Sequence, residues 1–236
     1  MTRTADTLVV AEVFGPTAQG EGPSAGRRAS FIRLGGCNLH CSWCDTPFTW
    51  DARRHNLRTE LTRRPVTDLI REVSGHGTRL VVVTGGEPLL HQHQPGWETL
   101  LRTLGLAGID VEVETNGTIA PAGTTAWVTR FNVSPKLAHA GDDATARIKP
   151  AALHALASSG RACFKFVCRT ADDLREVQAM TSTVDIPPHL VWIMPEGTRP
   201  ELVTARLHML ADPAVAAGFN LTTRLHVLAW GDQRGR

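Results

Sequence analysis

The segment that most constrains the fold is a short apolar run, Arg79-Leu-Val-Val-Val-Thr84, which is followed at once by Gly85-Gly86-Glu87-Pro88. A strand that is covered on both faces has a continuous apolar sequence rather than an alternating one. Runs of this kind alternate along the chain with stretches of helical periodicity. This alternation predicts an α/β fold with a parallel sheet and flanking helices.

The predicted elements follow one another in a regular order. We expect strands at residues 8–14, 29–34, 79–84, 109–115, 127–133, 162–168, 190–194 and 225–228, and helices at 66–74, 97–104, 149–158, 172–180 and 201–210. Thr67 and Thr170 are candidate caps for the first and fourth of these helices. A chain of 236 residues fits one domain, spanning residues 1–236.

Polar and glycine-rich residues follow the ends of four predicted strands. These motifs are Gly85-Gly86-Glu87-Pro88, Thr115-Asn116-Gly117-Thr118, Ser134-Pro135-Lys136 and Met194-Pro195-Glu196-Gly197. In barrel-like α/β folds the carboxyl ends of parallel strands line a single active-site face. The positions of the motifs therefore predict an active site at the carboxyl ends of the strands.

Three cysteines, Cys37, Cys41 and Cys44, form a C-x3-C-x2-C sequence directly after the predicted strand 29–34. Thiolates suit iron–sulfur clusters, and three protein ligands leave one iron of a four-iron cluster open to bind something else. A zinc site completed by another Cys, or by His40 or His55, is the alternative. No second C-x2-C pair is present, as structural zinc sites usually have, so the sequence favours an iron–sulfur cluster.

Composition excludes several classes of function. The net charge is +2, with Lys and Arg spread along the chain, which argues against a nucleic-acid or anionic-membrane partner. No run approaches the length of a membrane span, and the first seven residues lack the apolar core of a signal peptide. Cys163 and Cys168, in the predicted strand 162–168, indicate buried core thiols rather than a disulfide framework. A reducing, cytoplasmic location is expected.

The cysteine sequence and Gly85-Gly86-Glu87-Pro88 together resemble the radical S-adenosylmethionine (SAM) superfamily. Segments from both ends of the chain resemble one family within it, the 7-carboxy-7-deazaguanine synthases. These segments are Phe14 to Gly22, Cys44-Asp45-Thr46 with Thr49-Trp50, Glu112 to Gly117, Val133 to Lys136, and Leu225 to Gly235. The resemblance implies an incomplete TIM-like barrel of parallel strands with a radical SAM core. It also implies a [4Fe-4S] cluster, SAM and Mg2+ as cofactors.

The same resemblance implies a carbon–nitrogen lyase reaction. Members of this family convert 6-carboxy-5,6,7,8-tetrahydropterin into 7-carboxy-7-deazaguanine and release ammonia, in the biosynthesis of 7-deazapurines such as queuosine. Reductive cleavage of SAM yields a 5′-deoxyadenosyl radical, which removes a hydrogen atom from C6 of the pterin before the ring contracts. The expected partners are an electron donor such as flavodoxin or ferredoxin and a second copy of the chain in a homodimer.

Site residues carried over from the resemblance fall into four groups. The cluster ligands are Cys37, Cys41 and Cys44, and the magnesium ligand is Thr46. The residues implied for SAM are Trp43, Asp45, Gly86, Glu87, Ser134, Pro135, Lys136, Met194, Pro195 and Glu196. Those implied for the substrate are Ala18, Gln19, Gly20, Arg33 and Thr84. Gln19 would pair with the amide-like edge of the pterin and Arg33 with its carboxylate. The family usually has an aliphatic residue where Ala18 stands.

The sequence leaves open the role of Lys165 and two alternative classes of protein. Lys165, within an apolar strand, either has a catalytic role or extends its amine to the end of the strand. A glycyl-radical-enzyme activase would share the cysteine, Gly-Gly-Glu-Pro and Thr-Asn-Gly elements, although it has no need of Gln19-Gly-Glu-Gly or Ser134-Pro-Lys136. An iron–sulfur redox sensor or scaffold without turnover would need none of the cofactor-binding glycines.

Overall fold

The computed structural model of the chain describes residues 6–235. Residues 1–5, which belong to the stretch without a signal-peptide core, and residue 236 lie outside this range. The described chain divides into two compact units, one of residues 6–17, 28–115 and 121–131, and the other of residues 18–27, 116–120 and 132–235. The expectation of one domain over residues 1–236 stays a prediction.

The first unit contains most of the amino-terminal elements. Its strands are β1 (Thr7–Ala18, except its last residue), β2 (Arg28–Leu34), β3 (Thr62–Pro65), β4 (Leu80–Gly85), β5 (Asp110–Thr115) and the first half of β6 (Arg130–Val133), and its helices are α1 (Leu57–Glu60), α2 (Val66–Gly75) and α3 (Pro95–Leu106). The strand order is β3-β1-β2-β4-β5. The pairs β2–β4 and β4–β5 are parallel, with Ile32 opposite Val83 and Val83 opposite Val113, whereas β3 is antiparallel to β1.

The core of this unit explains why its central strand could be recognised. Residues Leu80 to Val83 of β4 are fully buried, as a strand covered on both faces should be. Helices α2 and α3 pack against each other and bury apolar residues at the three- and four-residue spacing of a helix face, namely Val66, Leu69, Val73, Trp97, Leu100, Leu101 and Leu104.

The second unit contains the carboxy-terminal elements. Besides the last half of β6, these are α4 (Ala144–Arg147), α5 (Pro150–Ser158), β7 (Ala162–Cys168), α6 (Asp173–Val184), β8 (Val191–Pro195), α7 (Pro200–Ala216), β9 (Asn220–Leu221) and α8 (Leu225–Trp230). Strands β7, β8 and β9 are adjacent in this order and both pairs are parallel. All seven residues of β7 are buried. None of the helices within residues 6–235 has the length and apolarity needed to cross a membrane.

The fold is therefore α/β, with parallel strands in an open sheet, as expected for an incomplete barrel. The four polar motifs stand where they were predicted. Strands β4, β5, β6 and β8 end at Gly85, Thr115, Val133 and Pro195, so each motif lies at or directly after a carboxyl end.

One predicted strand is wrong. Residues 225–228 begin helix α8, in which the N–H groups of Leu228 and Gly231 donate to the carbonyls of Arg224 and Val227. Only Val227 of this helix is buried. A short apolar run has no periodicity that separates strand from helix, so the sequence was ambiguous here.

Both candidate helix caps are wrong. Helix α2 is preceded by Pro65, and α6 is preceded by Asp172, so that neither Thr67 nor Thr170 occupies the cap position. At α6 the first-turn carboxylate of Asp173 instead accepts the N–H groups of Arg169 and Thr170, at 2.6 and 3.0 Å. The predicted strand 127–133 is shorter than expected, because β6 begins only at Arg130.

Candidate active site

The cysteine loop follows β2 and ends at a 3-10 helix, Pro47–Thr49. The sulfurs of Cys37 and Cys44 accept hydrogen bonds from N–H groups. The backbone N–H of Leu39 donates to Cys37 Sγ at 3.5 Å, and the indole N–H of Trp50 donates to Cys44 Sγ at 3.4 Å. Donors of this kind stabilise negative charge on sulfur, so the loop is suited to holding thiolate ligands.

The thiols of the loop also influence one another electrostatically. Burial raises the pKa of Cys37 to about 11, and the negative charges of Glu87, Cys41 and Cys44 add to this, against the effect of the Leu39 N–H. Because thiolates placed close together repel, a bound cation favours their charged form. Within residues 6–235 no three His, Cys, Asp or Glu side chains already stand in a metal-binding arrangement. The donor set nevertheless fits a cluster, and the ligand role of the three cysteines stays a prediction.

The loop after β4 packs tightly against the start of the cysteine loop. A Cβ on Gly85 would lie 2.1 Å from the carbonyl oxygen of Leu34, and one on Gly86 would lie 1.9 Å from that of Gly36. Gly85 also has a φ of +133°, which favours glycine. The N–H groups of Gly86 and Glu87 donate to the carbonyls of Leu34 and Gly36, at 3.2 and 2.8 Å. Gly85 and Gly86 are therefore needed for the loop after β4 to pack against the start of the cysteine loop.

His91 provides a third link between these loops. Its Nε2 lies 2.8 Å from the carbonyl oxygen of Gly35, and its Nδ1 lies 3.0 Å from Nε2 of Gln94. A carbonyl only accepts, so His91 donates from Nε2 and accepts from Gln94 at Nδ1. The ring is 5% exposed. Sequence reasoning missed this residue, and its place three residues after Pro88 was the only signal.

Glu87 is fully buried below the same loop. Its Oε1 accepts hydrogen bonds from the N–H of Leu89 at 2.9 Å and from the hydroxyl of Thr115 at 2.8 Å. The carboxylate therefore caps the 3-10 helix Pro88–His91 and connects it to the end of β5. Its predicted contact with SAM stays a prediction.

Two residues predicted to bind substrate have acidic partners in the first unit. The hydroxyl of Thr84 donates to Glu114 Oε2 at 2.7 Å. Nε of Arg33 donates to Glu12 Oε1 at 2.7 Å, and the guanidinium carbon lies 5.4 Å from the ring centroid of Phe14. The side chains of Arg33 and Glu12 are 17% and 15% exposed, so Arg33 is a held cation rather than a freely solvated one.

Thr46, the predicted magnesium ligand, directly precedes the 3-10 helix Pro47–Thr49. Its carbonyl accepts from the backbone N–H and the hydroxyl of Thr49, at 3.0 and 2.8 Å. Its own hydroxyl lies 3.7 Å from Cys44 Sγ. Trp43 is partly buried and Asp45 is exposed, on either side of Cys44.

In the second unit the loop after β1 packs against helix α8. The carbonyl of Gly20 accepts from the N–H of Leu225 at 2.8 Å, and a Cβ on Gly20 would lie 1.9 Å from Nδ1 of His226. Gln19 is buried, and its side-chain oxygen accepts from the N–H of Glu21 at 3.3 Å. Ala18, the last residue of β1, is partly buried. Segments some two hundred residues apart in sequence are thus in contact.

Glu21 is the centre of a charged cluster in the same unit. Its carboxylate pairs with the amine of Lys165, with Nε of Arg224 at 3.1 Å, and with Nε2 of His226 at 3.9 Å. Burial alone raises the pKa of Glu21, but Lys165, Arg224 and His226 outweigh it and hold the pKa well below its usual range. Lys165 therefore does not reach solvent at the strand end, because its side chain is 7% exposed and ion-paired.

Sequence reasoning singled out Lys165 but missed its partners. An apolar strand that contains one lysine requires a buried counter-charge, and this requirement was the available signal. It did not identify which carboxylate supplies the charge.

The motif after β6 is also internally bonded. Nζ of Lys136 donates to the hydroxyl of Ser134 at 2.9 Å, and the carbonyl of Lys136 accepts from Nη1 of Arg147 at 2.6 Å. The second of these bonds joins the predicted SAM-binding turn, which includes Pro135, to helix α4.

The motif after β8 ends in a carboxylate between two guanidinium groups. Glu196 pairs with Nη1 of Arg206 and lies 3.6 Å from Nε of Arg169. Met194 is buried, as is Pro195. The predicted roles of Met194, Pro195 and Glu196 toward SAM stay predictions.

Comparison with known proteins places the chain in a class. Residues 31–186, more than half of it, match the family model described as the Radical SAM superfamily. The chain therefore belongs to the radical SAM enzymes. A solved structure of SuiB from Streptococcus suis bound to S-adenosylmethionine shares the fold, with a TM-score of 0.51 and 14% identity, covering 81% of this chain and 46% of that one.

Full-length relatives narrow the class to one family. A 7-carboxy-7-deazaguanine synthase from Pyrobaculum aerophilum is 40% identical over 230 residues, covering 96% of both proteins. Another from Rhodopirellula baltica is 33% identical over 241 residues, covering 97% of this chain and 89% of the relative. The crystal structure of QueE from Escherichia coli has a TM-score of 0.70 and 26% identity, and the match covers 93% and 95% of the two chains. The chain is a member of the 7-carboxy-7-deazaguanine synthase family.

Family membership defines the general chemistry. The cofactors are a [4Fe-4S] cluster, SAM and Mg2+, and the enzyme takes a small-molecule substrate and a reductant. Neither the activase nor the redox-sensor alternative is supported by these matches.

Proposed function

We propose that the chain converts 6-carboxy-5,6,7,8-tetrahydropterin into 7-carboxy-7-deazaguanine with release of ammonia. The observation that carries this proposal is the contact between the amino-terminal and carboxy-terminal segments that resemble the family. The carbonyl of Gly20 accepts a hydrogen bond from the N–H of Leu225, and the lack of a Cβ at Gly20 leaves space for the ring of His226. The carboxylate of Glu21 forms an ion pair with Arg224. A glycyl-radical-enzyme activase has no need of either segment, whereas here the two segments are in contact.

The first unit supplies residues for the cluster and part of the SAM site. We assign Cys37, Cys41 and Cys44 as cluster ligands, and Thr46 as a ligand of Mg2+. When bound, the cluster provides the electron that cleaves SAM to the radical which attacks the substrate. Because Gly85 and Gly86 have no Cβ, the loop after β4 can pack against the carbonyls of Leu34 and Gly36, next to the cysteine loop. The assignment for SAM in this unit is Trp43, Asp45, Gly86 and Glu87, and in the second unit it is Ser134, Pro135, Lys136, Met194, Pro195 and Glu196.

The residues assigned to the substrate are Ala18, Gln19, Gly20, Arg33 and Thr84. Arg33 has a planar guanidinium that suits a carboxylate, and its pairing with Glu12 fixes its orientation before the substrate arrives. The buried amide of Gln19 offers a donor and an acceptor for a pterin edge. Thr84 is oriented by its hydrogen bond to Glu114. Specificity in this proposal comes from polar groups that are already fixed.

The proposal includes the wider setting of the enzyme. We expect a homodimer in the cytoplasm, reduced by a low-potential donor such as flavodoxin or ferredoxin, with no nucleic-acid or membrane partner. The family resemblance and the small net charge of +2 support these expectations.

The test is an anaerobic turnover assay. Protein reconstituted with iron and sulfide is incubated with SAM, Mg2+, a reductant and 6-carboxytetrahydropterin, and the deazaguanine product is measured by mass. Cys41→Ala is the control, because loss of one of three thiolates should prevent assembly of the cluster and all turnover. Cleavage of SAM with the pterin recovered unchanged would contradict the proposed substrate. Full iron content in Cys41→Ala would contradict the ligand assignment.

A further inference from the structure

The indole of Trp50 makes a side-chain hydrogen bond to a sulfur of the cysteine loop. Its Nε1 donates to Cys44 Sγ at 3.4 Å, and its backbone N–H donates to the carbonyl of Pro47 at 3.1 Å. The ring of His40 lies edge-on to the indole, with centroids 5.1 Å apart and an interplanar angle of 85°. The indole is therefore fixed from two sides, by its own backbone turn and by an aromatic neighbour.

The direction of this hydrogen bond is unambiguous. An indole nitrogen only donates, so the sulfur of Cys44 is the acceptor. In the loaded enzyme this sulfur is the thiolate that we assign as a cluster ligand. The corresponding bond to Cys37 comes from the backbone of Leu39, whereas the Trp50 bond comes from a side chain and can be removed by substitution.

A hydrogen bond to a ligating sulfur changes the redox energetics of a cluster. One-electron reduction adds a unit of negative charge, part of which resides on the sulfurs. A donor that stabilises this charge favours the reduced state and raises the reduction potential. No proton transfer is required. The electron comes from an external one-electron donor and enters the cluster.

We propose that Trp50 is a positioning residue that raises the reduction potential of the cluster through Cys44. The inference rests on the proposed role of Cys44 as a cluster ligand. It deepens the proposed function by identifying the side chain that makes the cluster accessible to its reductant. Trp50 touches neither SAM nor pterin in this role, and acts only through the sulfur.

The test measures the midpoint potential of the cluster-loaded protein without SAM or pterin. Trp50→Phe keeps an aromatic ring and removes the N–H. An EPR-monitored titration should give a more negative midpoint, with unchanged iron content. At a fixed solution potential well above the midpoint, a tenfold smaller fraction of reduced cluster in the variant than in the wild type corresponds to a midpoint that is lower by about 59 mV, for a one-electron couple. Trp127→Phe is the matched control, because that indole is 37% exposed and packs over Gly105 instead of a sulfur.

A second variant decides the matter if Trp50→Phe fails to load its cluster. Replacing Trp50 by 3-benzothienylalanine preserves the bicyclic shape and substitutes sulfur for the N–H. A more negative midpoint in this protein supports the proposal. An unchanged or more positive midpoint in either loaded variant overturns it.

Turnover separates this inference from the proposed function. SAM cleavage by Trp50→Phe should fall several-fold with dithionite and recover with the stronger reductant Ti(III) citrate. A loss that is equal with both reductants indicates a structural role and overturns the inference. Absence of deazaguanine from the wild-type protein would instead refute the proposed substrate and leave the potential measurement intact.

Discussion

Replacing Lys165 by Met should destabilise the chain by about 1.5–3 kcal/mol at pH 7, because it removes one partner of a buried ion pair. The side chains of Lys165 and Glu21 are 7% and 14% exposed. Breaking such a pair costs about 3–5 kcal/mol when the remaining charge has no other partner. Here Arg224 still lies 3.1 Å from Glu21, so the expected cost is closer to that of one charged hydrogen bond, about 1.5–3 kcal/mol. Met preserves most of the volume of the lysine stem.

The destabilisation should depend on pH in a defined direction. In the folded chain the pKa of Glu21 is held below the ordinary value of 4.5, despite burial, by Lys165, Arg224 and His226. The ion pair therefore contributes its full stability above that ordinary value and loses it as the pH falls toward the folded pKa. Without Lys165 the folded pKa rises. The difference between the wild type and Lys165→Met should accordingly be largest near neutral pH and shrink below about pH 4.

The assay is urea unfolding of anaerobically prepared proteins, followed by circular dichroism. A double-mutant cycle of Glu21→Gln and Lys165→Met isolates the energy of the pair. Arg71→Met is the control, since the Arg71–Asp68 pair has side chains that are 76% and 42% exposed and should contribute less than about 1 kcal/mol. A change below about 0.5 kcal/mol in Lys165→Met at pH 7, the range of an ordinary surface substitution, would refute the reasoning. So would a difference that does not shrink in acid.

Three further substitutions test the loops around the cysteines. Gly86→Ala places a Cβ 1.9 Å from a backbone oxygen, so it should lower the free energy of unfolding by about 1–3 kcal/mol and reduce iron loading. Gly123→Ala, with nothing within 4 Å of its Cβ, should leave stability and iron loading unchanged. Normal iron loading of Gly86→Ala would contradict the packing argument. His91→Leu removes the donor to the carbonyl of Gly35 and should weaken SAM binding several-fold, as measured by equilibrium dialysis. His91→Gln retains an amide donor and is the control. If both variants bind SAM with equal affinity, the hydrogen bond between His91 and Gly35 does not support SAM binding. Thr46→Ala should weaken the response of turnover to Mg2+ at unchanged iron content, and an unaltered magnesium titration would remove Thr46 as the ligand.

Much of the fold was predictable because strands such as β4 and β7 are buried on both faces. Strand β4 has no polar residue between Leu80 and Val83, and β7 is buried throughout, so their sequences are continuous apolar runs. The positions of the four polar motifs followed from the predicted ends of β4, β5, β6 and β8. The six-residue helix α8 was not predictable, because a run of that length fits either kind of element.

The missing parts of the site depend on contacts between distant residues. Lys165 is 144 positions from Glu21, and Arg224 is 203 positions from it. His91 is 56 positions from Gly35. Local spacing carries no information about such pairs, since they form only when separate strands and loops have packed. The motif residues could be found because their chemistry is concentrated in short segments, and the residues that orient them could not.

Because Gly20 has no side chain, the loop after β1 can pack directly against helix α8. The ring of His226 fills the volume that a Cβ at position 20 would need, so any larger residue there has to displace this ring. A larger residue at position 20 fits best when a smaller one stands at position 226, whereas a smaller residue at 226 alone leaves a void beside the loop that carries Gln19. Substitutions at positions 20 and 226 are therefore expected to be coupled, so that helix α8 limits which residues the loop carrying Gln19 accepts.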